Sequence, residues 1–112
     1  MKCRIILELL AILFFTGCYN REQISRLDEA EALIQNKPDS ALTILQQLKS
    51  EGSQAEQARY ALLYSEALDK NHIKVTNDSL IRQAWSHYKH HPKDLRRQCK
   101  TLYYWGRVKL RA

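Results

Sequence analysis

The sequence predicts an all-α protein built from antiparallel helical hairpins. Apolar residues recur at three- and four-residue steps along most of the chain, as they do on the buried side of an amphipathic helix. Capping residues and prolines separate these stretches at short intervals. With only three glycines and two prolines among 112 residues, there are too few turn residues for a β-sandwich or barrel.

The first stretch of the chain has the layout of a bacterial secretory signal. Lys2 and Arg4 precede an apolar run over residues 5–15, and the run is followed by Thr16-Gly17-Cys18. The run is too short to span a membrane, because a transmembrane helix needs roughly 20 apolar residues. A buried core helix and a misplaced start codon are the alternatives to a signal peptide.

The segment from Phe15 to Cys18 resembles the lipobox of bacterial lipoproteins, in which an apolar residue and two small residues precede the cysteine that receives the lipid. It departs from that pattern at Phe15, where an aliphatic residue is usual, and Glu8 places a charge in the apolar run. The resemblance implies a signal peptide over residues 1–17, a lipid on Cys18 and a tether over residues 18–23. It places the protein on the periplasmic or cell-surface side of a bacterial membrane.

Composition and charge describe one small folded domain with an uneven charge distribution. Charged residues make up 27% of the chain and hydrophobic residues 45%, as in ordinary soluble domains. Residues 18–56 hold four basic and seven acidic side chains, whereas residues 57–112 hold twelve and four. In a cytoplasmic protein this basic half would favour nucleic-acid binding. Behind a secretory signal, a solvated basic face is the first expectation and an anion-binding face the second.

The three cysteines provide no disulfide framework. Cys3 leaves with the signal peptide, Cys18 is used for the lipid, and Cys99 has no intramolecular partner left. Because Cys99 follows Leu95 and precedes Leu102 at helical spacing, it is predicted to be a small buried apolar residue.

The first two helices are predicted to form a hairpin around Pro38. The first runs from about Arg21 to Gln35, with Ser25 and Asp28 at the spacing of a possible helix start. Its apolar stripe consists of Ile24, Leu27, Ala30, Leu33 and Ile34. Proline disfavours a helical residue before it, so the first helix stops by residue 36. Pro38-Asp39-Ser40 then supplies capping residues for a second helix that ends near residues 50–52.

The third helix is predicted to begin at a capping box formed by Ser53 and Glu56. One of its faces is rich in small residues, which allow close helix packing: Ala55, Ala58, Ala61, Leu62, Ser65 and Leu68. Tyr60 and Tyr64 lie four residues apart on a flank, where they either line a groove or cover the next helix.

The fourth and fifth helices follow a polar loop over residues 69–74. Residues 76–79 supply caps for the fourth helix, which ends at His90-His91-Pro92, and Asp94 caps the fifth. The fourth helix is amphipathic, with its apolar side formed by Leu80, Ile81, Ala84, Trp85 and Tyr88. The fifth helix has apolar residues on most of its sides, so one of its faces would stay uncovered. We therefore expect a partner for it: a further repeat, another subunit or the missing part of a truncated reading frame.

A short repeat relates the two hairpins. Asp39-Ser40-Ala41-Leu42 recurs 39 residues later as Asp78-Ser79-Leu80-Ile81, at the start of the second helix of each hairpin. Two helices per period are typical of α-helical repeats.

The hairpins resemble the tetratricopeptide repeat family in a degenerate form. Ala41 with Leu45 and Ala84 with Tyr88 match the pair of small and large residues in the family's second helix, and Leu102, Trp105 and Gly106 match its first-helix run with substitutions. With the lipobox, the chain resembles repeat lipoproteins and membrane-bound sensory regulators of the Bacteroidetes. The resemblance implies a solenoid of stacked hairpins over residues 24–112, with an incomplete last repeat, that binds a protein or peptide.

The sequence offers no arrangement typical of an enzyme, so neither a catalytic residue nor a cofactor is predicted. The glycines are isolated, which excludes a glycine-rich phosphate loop. His87 and His91 are one helical turn apart, as in some metal sites. Pro92 follows them directly and ends the helix there, so a polar helix end is predicted and a metal is not.

The predicted function is therefore non-catalytic binding of a protein or peptide by a lipid-anchored scaffold. The candidate binding residues are Arg59, Tyr60, Tyr64, Tyr103, Tyr104, Trp105 and Arg107. Packing against an absent helix is the alternative for the aromatic residues near 103–105. Two other functions remain open: a sensory input segment of a longer signalling or transcription regulator, and a cytoplasmic basic protein that binds nucleic acid.

Overall fold

The computed structural model of the protein describes residues 21–112. These residues form α-helices and no strands, which confirms the predicted all-α class. In chain order the helices are α1 over residues 21–33, α2 over Pro38–Gln47, α3 over Gln54–Lys70, α4 over Ser79–Tyr88 and α5 over Leu95–Arg111. The predicted signal peptide, the lipidation site Cys18 and residues 18–20 of the predicted tether lie outside the described residues, and residues 21–23 of the tether belong to α1.

Pro38 separates α1 from α2 as predicted, but the capping residues differ from the prediction. Pro38 is the first residue of α2, where its missing N–H costs no hydrogen bond. Asp39 and Ser40 lie in the first turn, and the N-cap is Lys37, whose side chain makes no capping bond. Ser25 lies inside α1 because the helix already includes residue 21. The helix predicted from about Arg21 to Gln35 is found over residues 21–33, and the Ser25–Asp28 spacing does not mark its start.

The predicted caps of α3 and α5 are confirmed. The backbone N–H of Glu56 donates to Ser53 Oγ at 3.2 Å, and the N–H of Arg97 donates to Asp94 Oδ1 at 3.4 Å. Each bond satisfies a donor that the first turn of a helix leaves free. The capping box is only half formed, because Glu56 Oε2 is buried without a hydrogen-bond partner among residues 21–112.

The hydrophobic core consists of two clusters. The first cluster joins α1, α2 and α3, and its buried members are Leu27, Ala30, Ile34, Ala41, Leu42, Ile44, Leu45, Leu63 and Ala67. The second cluster joins α3, α4 and α5, and its buried members are Ala58, Ala61, Leu62, Ile81, Ala84, Tyr88, Tyr104 and Val108. Because α3 contributes to both clusters, it is the central helix of the described structure.

The buried side of α5 is not the predicted one. Cys99 is exposed, and Leu95 and Leu102 are 62% and 48% exposed. The buried face instead carries Thr101, Tyr104 and Val108. The hydroxyl of Thr101 donates to the carbonyl of Arg97 at 2.7 Å, so this polar residue can be buried without losing its hydrogen bond. The prediction that Cys99 is buried is wrong, because α5 is apolar on two sides and buries the side with Tyr104.

No helix within residues 21–112 combines the length and the apolar character needed to cross a bilayer.

Candidate functional site

A row of charged side chains crosses α1, α3 and α5 on one side of the structure. Arg59 on α3 donates to Asp28 Oδ1 at 2.6 Å and to Glu31 Oε2 at 2.5 Å, both on α1. Arg97 on α5 lies 3.4 Å from Glu31 Oε1 and donates to Asp94 Oδ2 at 3.0 Å. We call these five residues the charged row. Glu31 lies between the two arginines and links the first helix to the fifth.

The arginines hold the pKa values of two carboxylates of the charged row, Glu31 and Asp94, below their ordinary values. Burial by itself would raise the pKa of Glu31, but the hydrogen bond and charge of Arg59 and the charge of Arg97 outweigh it and hold that pKa below its ordinary value. Asp94 behaves in the same way: burial opposes its ionisation, and two hydrogen bonds from Arg97 lower its pKa. Glu31 and Asp94 therefore carry full negative charges at neutral pH.

A second polar contact between α3 and α5 surrounds Glu66, which is only 1% exposed. Lys100 Nζ lies 3.3 Å from each carboxylate oxygen, and Gln35 Nε2 donates to Oε1 at 3.3 Å. A buried carboxylate requires such partners, because leaving a charge without them in the protein interior is costly. A cavity of about 50 Å³ separates this contact from Glu31 and Arg59.

An open groove of about 310 Å³ lies beside the charged row. Its lining residues come from α1, the start of α3, the end of α4 and the start of α5: Ile24, Ala55, Glu56, Arg59, His87, Tyr88, Asp94 and Arg97. Both apolar and charged side chains therefore line a surface that four helices build together.

The end of α4 contributes Tyr88 and His87 to the groove. Tyr88 is almost fully buried, and burial raises the pKa of its hydroxyl to about 12. Burial and the neighbouring His91 lower the pKa of His87. Both side chains are therefore neutral at physiological pH, and the charge in the groove comes from the arginines and carboxylates.

Two of the predicted binding residues, Tyr60 and Tyr64, lie away from the groove. Both pack against the first cluster, with their ring centroids 5.6 Å apart. The hydroxyl of Tyr60 lies 3.3 Å from the carbonyl oxygen of Leu45 and 3.5 Å from that of Leu48. These tyrosines are predicted to line a groove or cover the next helix; they pack instead on the first cluster, where Tyr60 contacts α2, the helix before α3.

The predicted residues on α5 also lie outside the groove, and they do not share one surface. Tyr104 is buried in the second cluster, whereas Tyr103 is 59% exposed. Trp105 Nε1 donates to Asp78 Oδ2 at 3.1 Å, and Arg107 Nε donates to Asp69 Oδ1 at 2.8 Å. Among the predicted binding residues, Arg59 alone lines the groove.

Histidines and acids do not form a metal cluster in the described part of the chain. Within residues 21–112, no group of three or more His, Cys, Asp or Glu side chains is placed to hold a metal ion. The rings of His87 and His91 stack with centroids 3.9 Å apart, and His91 Nδ1 lies 2.7 Å from the carbonyl oxygen of His87. These contacts fix the end of α4.

The site predicted from the sequence did not include the ion pairs formed by Glu31, Arg97, Glu66 and Lys100. Arg59 and Glu31 are 28 residues apart, and Arg97 and Glu31 are 66 apart. Local spacing carries no signal for such pairs, because they depend on which helices become neighbours. The only available signal was that α1 is acidic and α5 basic, which favours contact between them.

Comparisons with known proteins provide no relative from which a role could be transferred. The chain matches no protein-family model, no curated protein and no solved structure. Proposals about its function therefore rest on its own residues and their contacts.

Proposed function

We propose that the protein is a non-catalytic scaffold that binds a protein or peptide in the groove. The observation that carries this proposal is the charged row, which connects α1, α3 and α5 beside an open surface lined by both apolar and charged side chains. Four separate helices contribute to that surface. The shape of the binding surface therefore depends on how the hairpins pack, and not on a single loop.

The groove has the composition of a peptide-binding surface. Ile24 is 38% exposed and Ala55 is exposed, so apolar side chains are available for contact. Arg59 and Arg97 stand next to them with their charges fixed by carboxylates. Apolar contact supplies binding energy, and neighbouring charges determine which partner fits. We expect the partner to place an apolar side chain near Ile24 and a charged or polar one near the arginines.

Binding is a better match to these residues than acid or base catalysis. A catalytic carboxylate needs a pKa near the working pH, whereas the arginines lower the pKa values of Glu31 and Asp94. The carboxylates act instead as fixed partners for Arg59 and Arg97.

We further propose that the hairpins stack in the manner of a tetratricopeptide repeat. Support comes from the order of the contacts: α1 and α2 share the first cluster with α3, and α3 shares the second with α4 and α5. The first helices of successive hairpins, α1 and α3, and the following helix α5 are also joined by the charged row. In a repeat array this side forms the concave surface that receives a ligand.

A photo-crosslinker tests the groove directly. We replace Ala55, which is exposed in the groove, by p-benzoylphenylalanine, and use the same replacement at Gln46, an exposed residue on α2, as the control. Irradiation in the source cells should give a protein adduct at position 55 but not at 46. Adding Ile24→Glu should remove most of that adduct, because it places a charge on the apolar part of the groove. Equal labelling at 46 and 55, or an adduct insensitive to Ile24→Glu, would contradict binding in the groove.

Lipid anchoring outside the cytoplasm is proposed from residues 15–18 alone, and it has its own test. Mass spectrometry of the membrane fraction should find a mature chain that begins at a diacylated Cys18. Cys18→Ser should leave an unprocessed chain without lipid. A soluble wild-type product that retains residues 1–17 would contradict the anchor and favour the cytoplasmic alternative.

A further inference from the structure

The side of α5 that faces away from the core is an apolar stripe. Its members are Leu95, Cys99, Leu102, Tyr103, Gly106 and Leu110, and all of them are exposed. At 3.6 residues per turn they fall within an arc of about 100°, opposite the buried face of α5. Leu110 is 88% exposed and Leu95 62%. No charged residue of the helix falls inside this arc, which we call the α5 stripe.

The spacing of the α5 stripe suits a second helix. Leu95 and Leu102 are seven residues apart, as are Cys99 and Gly106, and this is the period that keeps two packed helices in contact. The stripe is about 22 Å long at 1.5 Å per residue. Cys99 and Gly106 are small and lie in its middle, and a Cβ added to Gly106 would meet nothing within 4 Å. The larger apolar residues therefore flank two hollows that can receive side chains of a partner.

Both edges of the α5 stripe are basic. Arg96 borders one edge and Lys109 the other, and both are exposed. The sequence of α5 holds six arginines and lysines and no acidic residue. Two copies of this helix placed side by side would bring like charges together, which disfavours pairing with a second copy. A partner with acidic edges would be attracted instead.

We propose that the α5 stripe docks an amphipathic helix of another protein, with large apolar residues at seven-residue spacing and glutamates or aspartates along both edges. This surface is separate from the groove, since no residue of the stripe lines it. A lipid surface would also accept an apolar stripe with basic edges. The central hollows at Cys99 and Gly106 favour a helix, because lipid gains nothing from small side chains at the centre of the contact.

The test uses the full chain and two synthetic helical peptides. Both peptides carry leucines at the same positions; one has glutamates along its edges and the other lysines. Fluorescence anisotropy should show at least tenfold tighter binding of the acidic-edged peptide, and its affinity should fall as salt screens the edge charges. Leu102→Glu should weaken this binding at least tenfold. Ile73→Glu, at an apolar residue that is 42% exposed in the loop after α3, should leave it unchanged.

A second variant separates a helical partner from a membrane. Gly106→Leu fills a central hollow, so it should weaken binding of the acidic-edged peptide, while circular dichroism shows that the helices are retained. For vesicles of anionic lipid the same change adds apolar contact and should strengthen binding. Equal affinity for the two peptides, or binding of neither, would overturn the proposal. Vesicle binding that Gly106→Leu strengthens, without any peptide binding, would show a lipid surface instead. Dimerisation that Leu102→Glu abolishes would show a second copy of the chain instead.

Discussion

The two hydrophobic clusters differ in what fills them. The buried members of the first cluster are all leucine, isoleucine or alanine, whereas the second places Tyr88 and Tyr104 among several alanines. Polar residues are buried close to the second cluster, where Thr101 lies one turn before Tyr104 on α5. Burial, and after it the charge of Glu66, raises the pKa of Tyr104. The interior of the first cluster is therefore held by apolar packing, and the hydrogen bond from Tyr60 to the carbonyl of Leu45 lies at its edge. The second also depends on hydrogen bonds and charge pairs being complete.

The difference follows from the residues that α3 offers on each side. Toward the second cluster it presents Ala58 and Ala61, which leave room for large rings on α4 and α5. Toward the first it presents Leu63, which packs against branched side chains of α1 and α2. Both combinations reach the close packing of a protein interior. In the second cluster small residues face aromatic ones, and in the first cluster larger aliphatic residues face each other.

The largest expected effect is the loss of packing in the first cluster. Leu45 is fully buried there, and Leu45→Ala leaves a cavity that the surrounding side chains fill only in part. We expect the free energy of unfolding in urea to fall by about 3 kcal/mol. The exposed neighbour Gln46→Ala is the control and should change it by less than about 0.5 kcal/mol. Similar effects of both variants would contradict the idea that the first cluster is held by packing.

The second cluster should be most sensitive to the loss of a charge partner. Lys100→Met leaves the buried carboxylate of Glu66 with the Gln35 amide and the Tyr104 hydroxyl but without its cationic partner, so we expect a loss of about 2 kcal/mol in urea unfolding. Adding Glu66→Gln removes the unpaired charge and should restore most of that loss. If the double variant is no more stable than Lys100→Met, the cost does not come from the charge of Glu66.

A smaller effect is expected from Glu31, which connects the two ends of the described chain. Its pKa is lower in the folded protein than the ordinary value of 4.5. Its contribution is therefore complete above pH 4.5 and is lost as the pH falls through the folded pKa. Glu31→Gln should cost about 0.5 to 1 kcal/mol at pH 7 and have less effect at pH 3. A cost that does not change with pH would show that the charge of Glu31 is not what stabilises the fold.

The smallest expected effect is a gain in stability on the outer side of α5. Gly106 lies in the helix with open space around its Cα. Gly106→Ala reduces the conformational entropy of the unfolded chain without a clash, so thermal unfolding should show a gain of about 0.5 to 1 kcal/mol. Leu110→Ala, at a residue 88% exposed, should leave the stability nearly unchanged. A loss of stability in Gly106→Ala would mean that this position is packed in solution.

Local signals in the sequence predicted the helices well because they depend on neighbouring residues. The serine cap of α3, the aspartate cap of α5 and the proline at the start of α2 each act within one turn, and all three are found. Asp39 and Ser40 are typical N-cap residues, but they follow Pro38, which takes the first helical position. They consequently lie two and three residues beyond the N-cap position, which Lys37 occupies.

The choice of buried face and the candidate site depend on packing and were predicted less well. On α5 an apolar stripe through Leu95 and Leu102 competes with a second one through Tyr104 and Val108. Periodicity alone cannot choose between them, because the decision depends on the alanine-rich surface of α3. Arg59 was identified from its place on the third helix, but its contacts with Asp28 and Glu31 required the position of α1.

The position of α3 also determines how the protein unfolds. Because one side of this helix closes the first cluster and another side closes the second, its backbone amides can exchange with solvent only when both clusters open. Thermal melting should then occur in a single step. A protease that cuts within α3 would release two fragments, and each would lack part of the helix that covers its hydrophobic cluster.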